Sequence, residues 1–510
     1  MEIFGWRKNE TVMMQYEQGT AAAGGKRTEI SEGILQEFFA LCRIPHQSGH
    51  EKAISDYLCR RVRELGYDAF QDESLNVIVS IAPRKGLEDM PVIALQAHMD
   101  MVVATAGQFD PQKDTVRPVV EGNILHTDGR SSLGADNGVG IAAILYMLSR
   151  KDLRHGPLKI IFTSGEEVGL KGARLLESGV LQDVQYLINL DGFHSDLAIV
   201  GCMGGKRETF RHPIVFQDVS DDCAGVQLEI SGLMGGHSGE DIALGRCNAI
   251  RLMAMLLVSM WAQGFRVGIA KMDGGTAANV IPRSCTAYLA VRKGELARFL
   301  RGCEEEFSYV VEAYRDTEHN PHFEADVIPA PEKVWSKQTI LDVLETIRGE
   351  NNGVYAMSKE FHDCIGGSSN LGQIKTGADS VEIFSMVRCE SCDVEEKLLH
   401  QHQKTAKEHG FRVNVSGYNA WHQDANNPLT RAVQEVYMEI KNRPITVTIA
   451  PVGLEPACFK EKAPWLRIVT LGVDIQDAHA TTERVKVDSM ETMFRLIVGA
   501  VEKIQCALSK

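Results

Sequence analysis

The sequence predicts an α/β protein: a mixed, mainly parallel sheet flanked by helices, interrupted by an inserted α+β domain. Three observations carry this prediction. Short apolar runs such as Pro91–Ala97 (PVIALQA), Leu158–Thr163 and Val184–Leu190 suit strands buried on both faces. Helical patterns lie between them, and alternation of strand with helix builds a parallel sheet. Near Gly204 the texture shifts to half-exposed strands, and the buried style returns near Trp421.

In chain order, Ile30–Cys42 has helical spacing, and Glu51–Leu65 repeats it with Ile54, Tyr57, Leu58 and Val62 on one face. Strands are predicted at 75–81, 91–97, 158–163 and 184–190, with helices at 138–148 and 172–177. In the inserted part, a strand at 226–231 precedes a helix at 248–261, strands at 266–271 and 286–291, and a helix at 294–313. A further α/β stretch from Ile340 to about Tyr418 holds a strand at 381–388 and a helix at 394–409. Helices at 429–440 and 489–508 and strands at 445–450 and 465–471 complete the chain. The expected organisation is a flexible leader over 1–27, a catalytic domain in two parts (28–205 and 419–510), and an inserted lid over 206–418.

Composition bounds the function. The 510 residues are 44% hydrophobic and 24% charged, the balance of a globular protein. With 54 Lys plus Arg against 68 Asp plus Glu the net charge is −14. That charge offers no electrostatic footprint for nucleic acid and little affinity for anionic membranes. No segment reaches the roughly 18 charge-free apolar residues of a membrane span. The twelve cysteines are thinly spread. A lone Cys389-Glu-Ser-Cys392 is weak ground for zinc or redox chemistry. The N-terminus lacks the apolar core of a signal peptide, so the cytosol is the expected compartment.

The chemistry gathers at strand ends. PVIALQA runs into His98-Met-Asp100, LKIIFTS into Gly165-Glu166-Glu167, and VQYLINL into Asp191, while Gly134-Ala-Asp136 opens an apolar helix. Carboxyl ends of neighbouring parallel strands converge on one crevice. Acids at that density need protons or a cation. An imidazole among carboxylates suits Zn²⁺, Mn²⁺ or Co²⁺. Asp100 is placed to support the His98 imidazole. Of the adjacent Glu166 and Glu167, one can ligate while the other acts as general base. Asp136 can bridge two ions, and two metals roughly 3.5–4 Å apart generate hydroxide and polarise a carbonyl.

The segments LQAHMDMV, SLGADNGVGIA, TSGEEVGLKGA and INLDG resemble, in order and spacing, the di-metal aminopeptidase/aminoacylase superfamily that includes carboxypeptidase G, peptidase T and peptidase V. Further motifs narrow the resemblance: Val200–Gly205, Gly235-Gly-His-Ser-Gly239, Gly274–Asn279, Ile281-Pro-Arg283, Asp424-Ala-Asn426 and Gly453-Leu-Glu455. The set is similar to the aminoacyl-histidine (Xaa-His, carnosinase-type) dipeptidases over nearly the whole chain. The resemblance implies two divalent metals per subunit, Zn²⁺ foremost. His98, Asp136, Glu167, Asp191 and His479 would be the ligands, with Asp136 bridging and the peptide bond after it cis. It implies Glu166 as general base, with His237 stabilising an oxyanion. Asn279, Arg388 and the Gly453 backbone would contact substrate, Arg388 gripping its carboxylate. It also implies small peptide substrates and a homodimer through the lid. Two departures stand out. Ala478 replaces the usual Pro before the last histidine, and Pro451-Val-Gly-Leu-Glu-Pro456 replaces His-Ala-Gly-Leu-Glu-Cys. The second alters the pocket wall. It keeps open the same chemistry on a non-histidine di- or tripeptide or an N-acyl amino acid. A catalytically inactive regulatory homologue is the remaining alternative, and it predicts loss of a ligand or of the base.

Overall fold

A computed structural model describes residues 27–507 except 362, 363, 423 and 425. The expected leader therefore lies, but for Arg27, outside the described residues. Two compact units emerge. The first holds the described residues up to Gly201, then those of 424–448, then those from Leu454 onward. The second holds Cys202–His422 and the short segment Ile449–Gly453. That short segment departs from the sequence expectation, which kept everything after 418 with the catalytic part. Backbone contact explains it: the amide of Met203 donates to Ala450 O at 3.1 Å.

The first unit is built on an eight-stranded sheet. Its order is Ala69–Gln71, Val77–Ile81, Leu158–Thr163, Val92–His98, Val184–Gly192, Arg467–Gly472, Leu197–Cys202, Thr446–Ala450. The four strands from Leu158–Thr163 to Arg467–Gly472 run parallel, and antiparallel neighbours flank them. Leu158–Thr163 is buried at every position, which is why it shows no alternation in sequence. The helix Glu29–Leu41 starts at a capping box of Thr28 and Ser31 and buries Ile34, Leu35, Phe38 and Leu41. It packs on the helix Ala135–Ser149, where Gly33 is obligatory: a Cβ there would stand 2.1 Å from the Tyr146 ring.

The second unit carries a nine-stranded antiparallel sheet. The path is His322–Ile328, Cys223–Ser231, Cys285–Arg292, Gly268–Gly274, Ile365–Thr376, Ser380–Cys389, Gly204–Pro213, Arg412–Tyr418, with Gly353–Met357 beside Ile365–Thr376. Alternate residues Val226, Leu228 and Ile230 join Leu252, Leu256 and Phe299 of the helices Ala249–Ala262 and Leu296–Glu312 in one core. Sequence reading missed Ile365–Thr376. Its run of Gly, Ser and Asn has the composition of a loop, yet eight of its twelve residues are buried between neighbours. No helix among the described residues is long and apolar enough to cross a membrane. The described cysteines are free thiols, with Cys389 buried and Cys392 exposed.

Candidate active site

In the first unit the strand ends deliver the predicted acids and imidazoles to one place. His98 closes its strand, and its Nδ1 lies 3.0 Å from Asp100 O. Donation to that carbonyl orients the ring and turns Nε2 toward Asp136 Oδ1 at 2.9 Å and Asp191 Oδ1 at 3.4 Å. The Asp100 side chain stands farther off, 3.5 Å from Nδ1. Its carboxylate instead accepts the backbone amides of Glu166 at 2.9 Å and Glu167 at 3.2 Å. Asp100 thus ties the glutamate turn to the His98 strand. On the far side, His479 Nε2 lies 2.9 Å from Asp136 Oδ2 and 2.7 Å from Glu167 Oε1. Asp136 therefore sits between two imidazoles with one oxygen toward each. The peptide bond after it is cis.

Charge is crowded here. Burial, with Asp136 and Glu167 adding to it against the pull of His98, drives Asp191 up to about 7. Burial and Asp136 also raise Glu167. Burial, together with Asp191, Glu167 and Glu455, raises Glu166 well above the carboxylate range. Burial works against the His479 cation, but its bonds to Asp136 and Glu167 win and lift it to about 10. His98 is raised for the same reason, mainly by Asp191. Asp136 is held low: burial opposes its charge, but the two imidazoles outweigh burial. Two imidazoles forced toward the cationic form by clustered acids are the signature of a site built around positive charge. Ligand atoms of His98, Asp136 and Glu167 lie within 4.8 Å of one another. Nitrogen and carboxylate donors in this number fit Zn²⁺, Mn²⁺ or Co²⁺.

Two carboxyls that sequence reading left without a role support the cluster. Glu483, 2% exposed, accepts the amides of Leu133, Gly134 and Ala135 at 2.8, 3.0 and 2.9 Å. It thereby holds the loop that presents Asp136. Glu455, fully buried, lies behind the strand ends. Glu455 stood in a quoted motif, whereas nothing local to Glu483 marks it.

The second unit assembles the other predicted residues. His237 pairs in a short ladder with Val280, and Ser238 N donates to Asn279 O at 2.9 Å. Asn370 Nδ2 clamps that loop through Ala278 O and Val280 O. His237 Nδ1 accepts from the amides of Gly239 and Glu240 at 3.3 and 3.4 Å, so Nε2 carries the proton. Arg388, 4% exposed, brings Nη2 within 3.5 Å of that Nε2 and Nη1 within 3.4 Å of the Tyr418 hydroxyl. Its Nε is buried with no hydrogen-bond partner among the described residues. Donors therefore converge, an arrangement complementary to an anion. Gly453 lies against Tyr418, where a Cβ would fall 2.1 Å from the ring.

The model of peptidase family M20/M25/M40 matches residues 94–503. The cytosol non-specific dipeptidase of Escherichia coli K12 is 28% identical over 94% of this chain and 99% of its own length. The crystal structure of aminoacylhistidine dipeptidase from Vibrio alginolyticus matches with a TM-score of 0.78 and 28% identity, covering 93% of this chain and 98% of that one. A tripeptidase from Staphylococcus aureus shares the fold at a TM-score of 0.56 and 17% identity, covering 93% and 99% of the two chains.

Proposed function

The chain belongs to peptidase family M20/M25/M40, hydrolases of peptide bonds, and we propose that it is a metal-dependent dipeptidase acting on Xaa-His dipeptides. The observation that carries this reading is Asp136 placed between His98 and His479, with Asp191 and Glu167 completing the two sides. His98, Asp136 and Asp191 would hold one divalent cation, and His479, Asp136 and Glu167 the second. Zn²⁺ is the first candidate. Such ions supply Lewis acidity toward the scissile carbonyl and acidify water.

The remaining steps fall to the chain's own groups. Glu166, raised by burial, takes a proton from the attacking water and returns it to the leaving amine. Asp100 is a positioning residue, since it fixes the Glu166–Glu167 turn. His237 donates Nε2–H to the developing oxyanion. Arg388 binds the substrate carboxylate, and Asn279 and the Gly453 backbone line the substrate. The full-length similarity to two dipeptidases supports the substrate class.

A second reading keeps the chemistry and changes the substrate to a non-histidine di- or tripeptide or an N-acyl amino acid. The Pro451–Pro456 departure favours it, as does the similarity to the E. coli relative, a non-specific dipeptidase by name. An inactive homologue is disfavoured because every proposed ligand and the base are present. The same relative supports a cytosolic setting. Sedimentation tests the homodimer expected through the second unit.

The test is hydrolysis of β-Ala-His, Gly-His, Gly-Leu, Gly-Gly-Gly and N-acetyl amino acids by chelator-stripped protein with added Zn²⁺, Mn²⁺ or Co²⁺. Metal-dependent cleavage confined to Xaa-His supports the first reading. Cleavage of another member moves the substrate, and inactivity with two metals bound refutes both.

A further inference from the structure

Beneath the acid cluster, the parallel strands carry a row of polar side chains that no assigned role uses. In register, Gln96 lies opposite Asn189, and Asn189 opposite Thr470. Thr470 Oγ1 donates to Asn189 Oδ1 at 2.7 Å, and Asn189 Nδ2 donates to Gln96 Oε1 at 2.6 Å. At the other end Gln96 Nε2 and Thr163 Oγ1 both donate to one oxygen, Oε2 of Glu455, at 2.5 and 2.7 Å. All five residues have 0% exposure. Each of three strands carries its member just ahead of a site residue: Gln96 before His98, Thr163 before Glu166, and Asn189 before Asp191.

An apolar residue would fill this interior at less cost than a carboxyl. Among the described residues Glu455 Oε1 is buried without a hydrogen-bond partner, so the second oxygen adds cost with no local return. What the carboxyl does provide is a joint. A single oxygen draws together the side chains of two neighbouring strands: Thr163, which lies opposite His98, and Gln96, two positions before His98. Burial, against the pull of the His98 charge, pushes Glu455 up to about 8, so near neutral pH it rests largely as the neutral acid. A glutamine is isosteric with that form.

We propose that Glu455 is a positioning residue for the hydrolysis: through Gln96 and Thr163 it sets the spacing between the strand ends that bear His98 and the Glu166–Glu167 pair. The inference rests on the peptidase reading of that site.

The test uses full-length Glu455→Leu, Glu455→Gln and Thr163→Val. Dipeptide kcat and KM are measured, together with Zn²⁺ retention against a competing chelator. Glu455→Leu is expected to lower kcat and Zn²⁺ affinity by about 10–100-fold, the range for groups that orient metal ligands, with KM nearly unchanged. Glu455→Gln should restore both to within about threefold, because the acceptor for both donors is kept. Thr163→Val should reproduce part of the loss and add little to Glu455→Leu, since both cut the same joint. A purely structural role predicts a lower Tm with kcat and Zn²⁺ retention intact in folded Glu455→Leu, and that result overturns the proposal. So does full additivity with Thr163→Val. Should Glu455→Leu not fold, unchanged kcat and Zn²⁺ retention in Thr163→Val overturns it equally. Absence of dipeptide hydrolysis by the wild-type chain would instead sink the functional reading, and Zn²⁺ competition would still decide the role of Glu455.

Discussion

Arg388 offers the sharpest test of substrate recognition. Arg388 is 4% exposed, and among the described residues its side-chain neighbours are the Tyr418 hydroxyl and His237 Nε2 rather than a carboxylate. A buried cation in such company is costly to the folded protein and is repaid only by an anion. A bidentate carboxylate would gain two charge-assisted bonds, together worth about 3–5 kcal/mol. Arg388→Ala should therefore cut kcat/KM on a free dipeptide by about 10²-fold to several thousand-fold, at 1.4 kcal/mol per tenfold. On the same dipeptide with an amidated C-terminus the wild-type enzyme has already lost the partner, and the substitution should cost less than about fivefold. Arg388→Lys should recover only part, because a point charge cannot reproduce the planar fork. Tm should hold or rise in Arg388→Ala, since Nε has no partner to lose among the described residues. Initial rates on the matched acid and amide decide the matter. Equal losses on both substrates would refute carboxylate recognition by Arg388.

Three other outcomes follow from the geometry. Glu166→Gln should lower turnover by about 10²-fold or more while two metals per chain are retained, read by metal analysis alongside kcat; near-normal turnover would remove Glu166 as the base. Glu483→Ala strips the acceptor from three buried amides, so it should lower Tm and weaken metal retention by about tenfold or more in chelator competition. In the second unit, Glu350 is fully enclosed, and burial raises it from 4.5 to about 7, with His402 opposing and Glu208 adding to the rise. A raised folded-state value means the contribution is complete below pH 4.5 and is lost as pH climbs through 7. Glu350→Gln should therefore stabilise the protein by up to about 3 kcal/mol at pH 8 and by little at pH 4, read from urea midpoints at both pH values.

Much of the first unit was legible because parallel topology converts sequence position into spatial position. A buried run followed by His98, Glu166 or Asp191 tells where that residue must emerge, whatever the order of strands. His479 and the proposed substrate residues His237, Asn279 and Arg388 carried no such mark. Only the motif resemblance singled them out, since turns and strand ends supply histidines and arginines for many reasons. The strand Ile365–Thr376 escaped because tertiary burial on both sides overrode a composition suited to loops.

The supporting carboxyls escaped for a different reason. Glu483 reaches its amides across some 350 positions of chain, and Glu455 reaches Gln96 across 359. No local period or spacing encodes such a pairing. Both are nonetheless predictable in kind. A loop that exposes several amides in succession needs an acceptor, and a polar row inside a parallel sheet needs a terminus. Of the proposed ligands, His98, Glu167 and Asp191 announce themselves at or just past the ends of strands. The residues that hold them in place are found by asking where each buried donor sends its hydrogen bond. In this protein that question leads from the amides of Ala135 and Asp136 to Glu483, and from Gln96, two residues before His98, to Glu455.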